Sequence, residues 1–117
     1  MSQYVQGPTK SFAVSAAFAQ FALVKLTSTA GQVALNTGSD TPVGSTCEQT
    51  FAAGDMTAVR LVNAQGTHKV IGAAAFAAGA TLYAAAGGKV DDSGTVVVGQ
   101  ALEACGADGD IVEAVLY

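Results

Sequence analysis

His68 is the only histidine among the 117 residues, so any nucleophile–base pair or histidine-rich metal site has a single imidazole to work with. It stands in the strand-like run Thr67-His68-Lys69-Val70, remote in sequence from any Ser or Cys motif, and reads as a surface histidine. Cys47 and Cys105 lack CxxC spacing and read as two reduced, buried thiols rather than a metal site or a secretory disulfide. The best carboxylate pairs are Asp91-Asp92 and Asp108-Gly109-Asp110. A calcium loop of the EF-hand type needs further oxygen ligands at fixed positions, and Val112 occupies the next one, so these are read as hairpin-turn aspartates. No phosphate-cradling loop, dinucleotide fingerprint or hydrolase elbow is present. The expectation is a protein with no catalytic residues, no cofactor and no metal.

Charge narrows the partners. Five Lys and Arg against nine Asp and Glu give a net charge of −4 with no basic run, which argues against nucleic acid, because neutralising phosphates requires clustered cations. Residues 11–24 resemble the apolar part of a signal peptide. Gly7-Pro8 in the leader, Gln20 inside the run and the repeat membership of Phe18 assign them to the folded domain instead. The uncharged run Val70 to Gly88 is rich in Gly and Ala and is broken by Thr81 and Tyr83, so no membrane span is expected.

The elements that must position these residues come as a repeat. Val43, Gly44, Glu48, Gly54, Asp55 and Leu61 recur 55 positions later as Val98, Gly99, Glu103, Gly109, Asp110 and Leu116. Gly31-Gln32-Val33 matches Gly88-Lys89-Val90 at an offset of 57, and Ala17-Phe18-Ala19 matches Ala75-Phe76-Ala77 at 58. The register drifts between strand-like runs, where loops tolerate insertions. One β domain over 16–117 is expected, built from units at about 17–61 and 75–116, preceded by an extended arm over 1–15. Residues 1–10 show no counterpart in the second unit. Gly7-Pro8 forbids a continuous helix there, while Tyr4, Val5 and Phe12 give the arm apolar anchors.

Short β-branched runs separated by turn residues predict strands at Ala22–Thr27, Gln32–Leu35, Val43–Glu48, Thr57–Asn63, His68–Ile71, Thr81–Ala85, Lys89–Asp91, Val96–Glu103 and Asp110–Tyr117. Gly supplies the positive φ that the intervening hairpin turns need. The punctuation indicates an all-β fold, a small barrel or sandwich. Ala73–Ala78 has helix propensity and is bracketed by Gly72 and Gly79, so at most one short helix is expected there.

The apolar residues are dominated by Ala, and Trp is absent. Small side chains bury little area each, so a thin core gains from neighbouring chains and a homo-oligomer is expected. The last strand places Ile111, Glu113, Val115 and Tyr117 on one face and Val112, Ala114 and Leu116 on the other. Neither face is fully polar. Cover on both is therefore expected, with Ile111, Val115 and Tyr117 as the oligomer-interface candidates.

The pattern Val-Gly-x3-Glu-x5-Gly-Asp at Val43–Asp55 and Val98–Asp110, with Ala78–Ala84 and Gly88-Lys89-Val90, resembles the small capsid decoration, or cement, proteins of tailed bacteriophages. The resemblance covers about Ala17 to Tyr117. It implies a β-barrel or β-tulip-like protein, made in the host cytoplasm, that sits as a trimer on the outer surface of the virion head. There it would bind the major capsid protein and stabilise the lattice, without catalysis. On that reading the arm is the capsid-binding element, with Tyr4, Val5, Pro8 and Phe12 as contacts. The chain departs from the family pattern at Phe18-Ala-Gln-Phe21, which replaces the Ala-Gly turn before the first repeated strand. The alternative, a free-standing carbohydrate- or ligand-binding β module, calls for clustered exposed aromatics, and the five Phe and three Tyr are scattered.

Overall fold

The computed structural model describes residues 9–64 and 66–117. Among these, ten strands form: β1 Thr9–Val14, β2 Leu23–Leu26, β3 Gln32–Leu35, β4 Gly44–Thr46, β5 Met56–Leu61, β6 His68–Ile71, β7 Thr81–Ala85, β8 Lys89–Asp91, β9 Val97–Ala101 and β10 Ile111–Leu116. The all-β class holds. All nine expected strands are present, with Gln32–Leu35, His68–Ile71, Thr81–Ala85 and Lys89–Asp91 matching to the residue.

The first five strands close into a barrel in the order β1-β3-β2-β4-β5. β1 runs antiparallel to β5, with Phe12 opposite Thr57, and parallel to β3, with Val14 beside Val33. The other five are ordered β6-β10-β9-β7-β8. A parallel bridge from Gly72, just past β6, to Val90 of β8 brings the ends of this sheet together. Read around the ring, both units follow one path, and Val70 opposite Val112 in β6/β10 reproduces Phe12 opposite Thr57 in β1/β5.

The arm expected over 1–15 is thereby corrected. Residues 9–14 are a barrel stave, and its counterpart is β6 at an offset of 58. Only Thr9, matching Thr67, is identical in that pair, whereas Lys10, Phe12 and Val14 correspond to His68, Val70 and Gly72. Beyond it, only the inward alternation of Phe12 and Val14 is retained, the period-2 pattern that one buried face demands.

Each ring has its own core. Phe12, Val14, Phe18, Val24, Val33 and Val59 fill the first. The second is built from Val70, Phe76, Leu82, Val90, Val98, Val112 and their neighbours. Leu23, on the outward side of β2, is fully buried in this second core, and Val62 packs against it. The two rings are therefore welded, and the molecule is elongated, 44 × 27 × 23 Å.

Two matched glycines explain why the repeat keeps its Val-Gly signature. A Cβ on Gly44 would overlap the carbonyl of Arg60, and one on Gly99 the carbonyl of Val115. In both rings the strand crosses its neighbour too closely for any side chain.

The Ala73–Ala78 segment is not helical. Phe76 exchanges both backbone hydrogen bonds with Cys105, and the Ala73 amide donates to the Val90 carbonyl at 2.7 Å. Sheet partners take the backbone groups a helix would use, which overrides alanine's propensity. The single helical turn among the described residues is a 3-10 turn at Ala86–Gly88.

The outer face of β10 is not covered within the chain, so the second cover expected there is left to another subunit. Val112, Ala114 and Leu116 are buried, whereas Ile111 is 51% and Tyr117 69% exposed. Glu113 and Val115 are half-buried. Val97 on β9 is likewise exposed while Val98 is buried.

Candidate functional site

The residues singled out for chemistry are occupied by structural duties. His68 is 2% exposed and lies at the weld between the rings, not on the surface. Its Nε2 is 2.9 Å from the Leu61 carbonyl, an arrangement in which Nε2–H donates. Its Nδ1 is buried and has no hydrogen-bond partner. Burial, aided by the nearby Arg60 charge and opposed by the bond to Leu61, lowers the His68 pKa below its usual 6.5. The neutral ring thus bolts the start of β6 to the end of β5.

The aspartates behave as turn residues. Asp55 Oδ2 accepts from the Phe51 and Ala52 amides, and Asp110 Oδ2 accepts from the Gly106 amide. Asp91 Oδ1 accepts from the Asp92 amide. Asp108 pairs with Lys89 at 2.8 Å. Among the described residues no group of three His, Cys, Asp or Glu is placed to hold a metal. Both cysteines are free; Cys105 is buried and its thiol donates to the Ala107 carbonyl at 3.2 Å, while Cys47 is half-buried.

The loop at Asn36–Thr41, longer than its counterpart in the second unit, is braced rather than presented. Buried Asn36 donates through Nδ2 to the carbonyls of Thr37 and Asp40. Asp40 accepts from Lys25 Nζ at 2.8 Å and from Thr37 Oγ1 at 2.6 Å. These two bonds, Lys25's foremost, hold the Asp40 pKa below its ordinary value. The Asn36 carbonyl accepts from the Gly88 amide at 3.0 Å, which ties the loop to the second ring.

A cleft of about 270 Å³ opens at the weld. Phe21, Cys47 and Arg60 line it from the first ring, and His68, Lys69 and Glu113 from the second. Arg60 Nε donates to the Thr67 carbonyl at 3.1 Å, and Thr67 Oγ1 donates to Glu113 Oε2 at 2.6 Å. The Lys69 ammonium lies 5.8 Å from the centre of the Phe21 ring. Phe21 is the one non-glycine described with positive φ, at 66°; its counterpart in the second ring is Gly79, at 84°. The Phe18–Phe21 departure seen in the sequence is therefore a left-handed turn that carries Phe21 where the second ring has Gly79.

Exposed apolar side chains are the remaining candidates for contact. Tyr117 lines a shallow pocket with Val43, Leu61, Val62 and Asn63. Leu26, 59% exposed, lines a second with Pro42, and the two share Val43 and Val62. Phe51, Met56 and Leu102 are also exposed. Met56 and Ile111 occupy equivalent positions, and both point outward. The repeat register carried that signal, since a strand position kept apolar in both copies yet out of phase with Val59 and Val112 faces away from the core.

Of the proposed capsid contacts, Tyr4, Val5 and Pro8 lie outside the described residues. Phe12 does not meet the requirement for a surface contact. It is 5% exposed and belongs to the first core.

The sequence matches no family model and no curated protein. Among solved structures, the fold is similar to the head fiber gp8.5 N base of bacteriophage phi29, with a TM-score of 0.78 at 16% identity, over 93% of this chain and 92% of that one. The likeness spans both rings. The likeness is one of fold.

Proposed function

We propose that this chain is a structural protein of a phage virion, a decoration protein that binds the outer surface of the major capsid protein lattice as a trimer and stabilises the head without catalysis. The observation that carries this reading is the near full-length likeness in fold to a phage head fiber base. The engagement of His68, Asp55, Asp108 and Asp110 in structural bonds fits a non-catalytic role. Net negative charge suits a protein that stays outside packaged DNA. A trimer engaging several capsid subunits at once would gain from multivalency.

The capsid-binding element is assigned to residues 1–8, with Tyr4, Val5 and Pro8 as contacts, since Phe12 is committed to the core. Deleting 1–8 should leave a folded oligomer that no longer co-sediments with undecorated heads. Deleting 1–15 should instead unfold the first ring, because β1 closes it against both β3 and β5. Undiminished decoration by the shorter deletion sinks the arm assignment. Failure of the full-length protein to bind heads by co-sedimentation and cryo-microscopy sinks the decoration reading itself.

A further inference from the structure

The repeat relation turns the weld inside one chain into a template for contact between chains. In the first ring the weld face includes Ser45, Cys47 and Arg60, which line the cleft, and Val62, which packs on the second core. At the repeat offset of 55 these correspond to Gln100, Leu102, Val115 and Tyr117 in the second ring. Within the described chain, first-ring residues approach that copy of the face at its Tyr117 end, where Val43, Leu61, Val62 and Asn63 share a shallow pocket with it. There Leu102 is 46% and Tyr117 69% exposed.

The complementary side can be traced by the same offset. The second ring seats on the first through Thr67, His68 and Lys69 and through the turn at Gly88. At positive φ, Gly88 has no Cβ, and one there would sit 2.8 Å from the Leu23 carbonyl. The counterparts in the first ring are Thr9, Lys10 and Ser11 and the turn at Gly31. Gly31 has the same backbone conformation, φ 77° against 74°, but faces open space. Leu26, the counterpart of buried Ala84, is exposed.

We infer that two copies of this chain associate head to tail, the Leu102–Val115–Tyr117 face of one second ring receiving the β1 entry and Gly31 turn of another copy's first ring, as the two rings meet within one chain. The occupant is a second copy because the chain already demonstrates how such a ring fits such a face. The contact is heterologous, using different patches on the two partners, and such contacts close into rings when the rotation permits. It rests on the trimer of the decoration reading only for its closure. The copy-to-copy joint is weaker than the internal weld. Thr81 and Ser93 stand where the weld has Leu23 and Asn36, so less apolar area is buried.

The test uses the full chain in solution, without heads. In the weld, Cys47 and Lys69 share the cleft, so their counterparts Leu102 and Ser11 should meet between copies. In a Cys47→Ser background, oxidation of the double variant Ser11→Cys/Leu102→Cys should convert single chains into covalent multimers, whereas either cysteine alone should not. Leu102→Glu, an exposed change, should weaken association at least about tenfold by analytical ultracentrifugation while the melting of the single chain is unchanged. A double variant that cross-links no more than the singles overturns the inference, as does a Leu102→Glu protein that associates normally. Decoration is read separately: heads decorated by a chain that never cross-links refute this contact alone, and cross-linked multimers that ignore heads refute decoration alone.

Discussion

The two rings share a backbone and differ in what fills and faces it. Both keep the glycine at the strand crossing, Gly44 and Gly99, and the Gly-Asp hairpin at Gly54-Asp55 and Gly109-Asp110. Around that frame the side chains have been exchanged in compensating sets. The first ring has Val14 in its core and Thr50, whose Oγ1 accepts from the Phe18 amide at 2.8 Å. The second has Gly72 at the place of Val14 and buried Cys105 at that of Thr50. Any Cβ on Gly72 would overlap the Cys105 sulfur. The comparison teaches that a duplicated β unit retains what its backbone cannot do without, while its surfaces diverge once the copies touch different things. Leu23 is buried in the weld, and its counterpart Thr81 meets solvent.

The strongest way to break the equivalence is at the crossings. Gly44→Ala and Gly99→Ala should each cost about 3 kcal/mol or more, since the backbone must part to admit a methyl group. Chemical denaturation should give similar losses for both. A harmless substitution in either ring would show that the close approach is not a shared requirement.

A smaller effect separates Phe21 from Gly79. A side chain in the left-handed region costs roughly 1–2 kcal/mol, and Phe21 offsets part of that through its contact with Lys69. Phe21→Gly should therefore be more stable than Phe21→Ala by about 1 kcal/mol, the reverse of the usual order, because glycine alone removes the strain. Thermal melting of the pair measures it. If alanine proves the better residue, the turn is not strained as its φ indicates.

The gentlest probe is pH at the weld. The folded pKa of His68 is lowered, so the unfolded chain takes up the proton first as pH falls. The stability linked to neutral His68 is complete above about 6.5 and declines as pH drops below that value toward the folded pKa. Melting temperatures between pH 7.5 and 5.5 should fall in the native protein. His68→Gln should fall less steeply, and an equal slope would remove His68 from the weld.

Much of this fold was legible in the sequence because turns and strand alternation are local. Gly31, Gly54, Gly79, Gly88 and Gly109 all adopt the positive φ their turn contexts require, and Asp110 caps the hairpin it was read as belonging to, as its repeat match Asp55 does in the first ring. The outward Ile111 and Tyr117 were visible as the odd face of the last strand. His68 was misread as a surface residue because its neighbours Thr67 and Lys69 are polar, and only the weld buries it.

By itself the sequence determined two β units, their turns and most of their strands, since Gly and Asp at fixed offsets constrain only a few neighbouring dihedral angles. Tertiary structure alone decided that β1 closes the first ring, that Ala73–Ala78 is extended and that the two rings fuse through Leu23 and His68. Each of those outcomes depends on partners distant in the chain: Thr57 for Phe12, Cys105 for Phe76, and the second-ring core for Leu23. A strand does not carry its neighbour's address in its own residues, because backbone hydrogen bonds between strands are chemically alike and only packing selects among them.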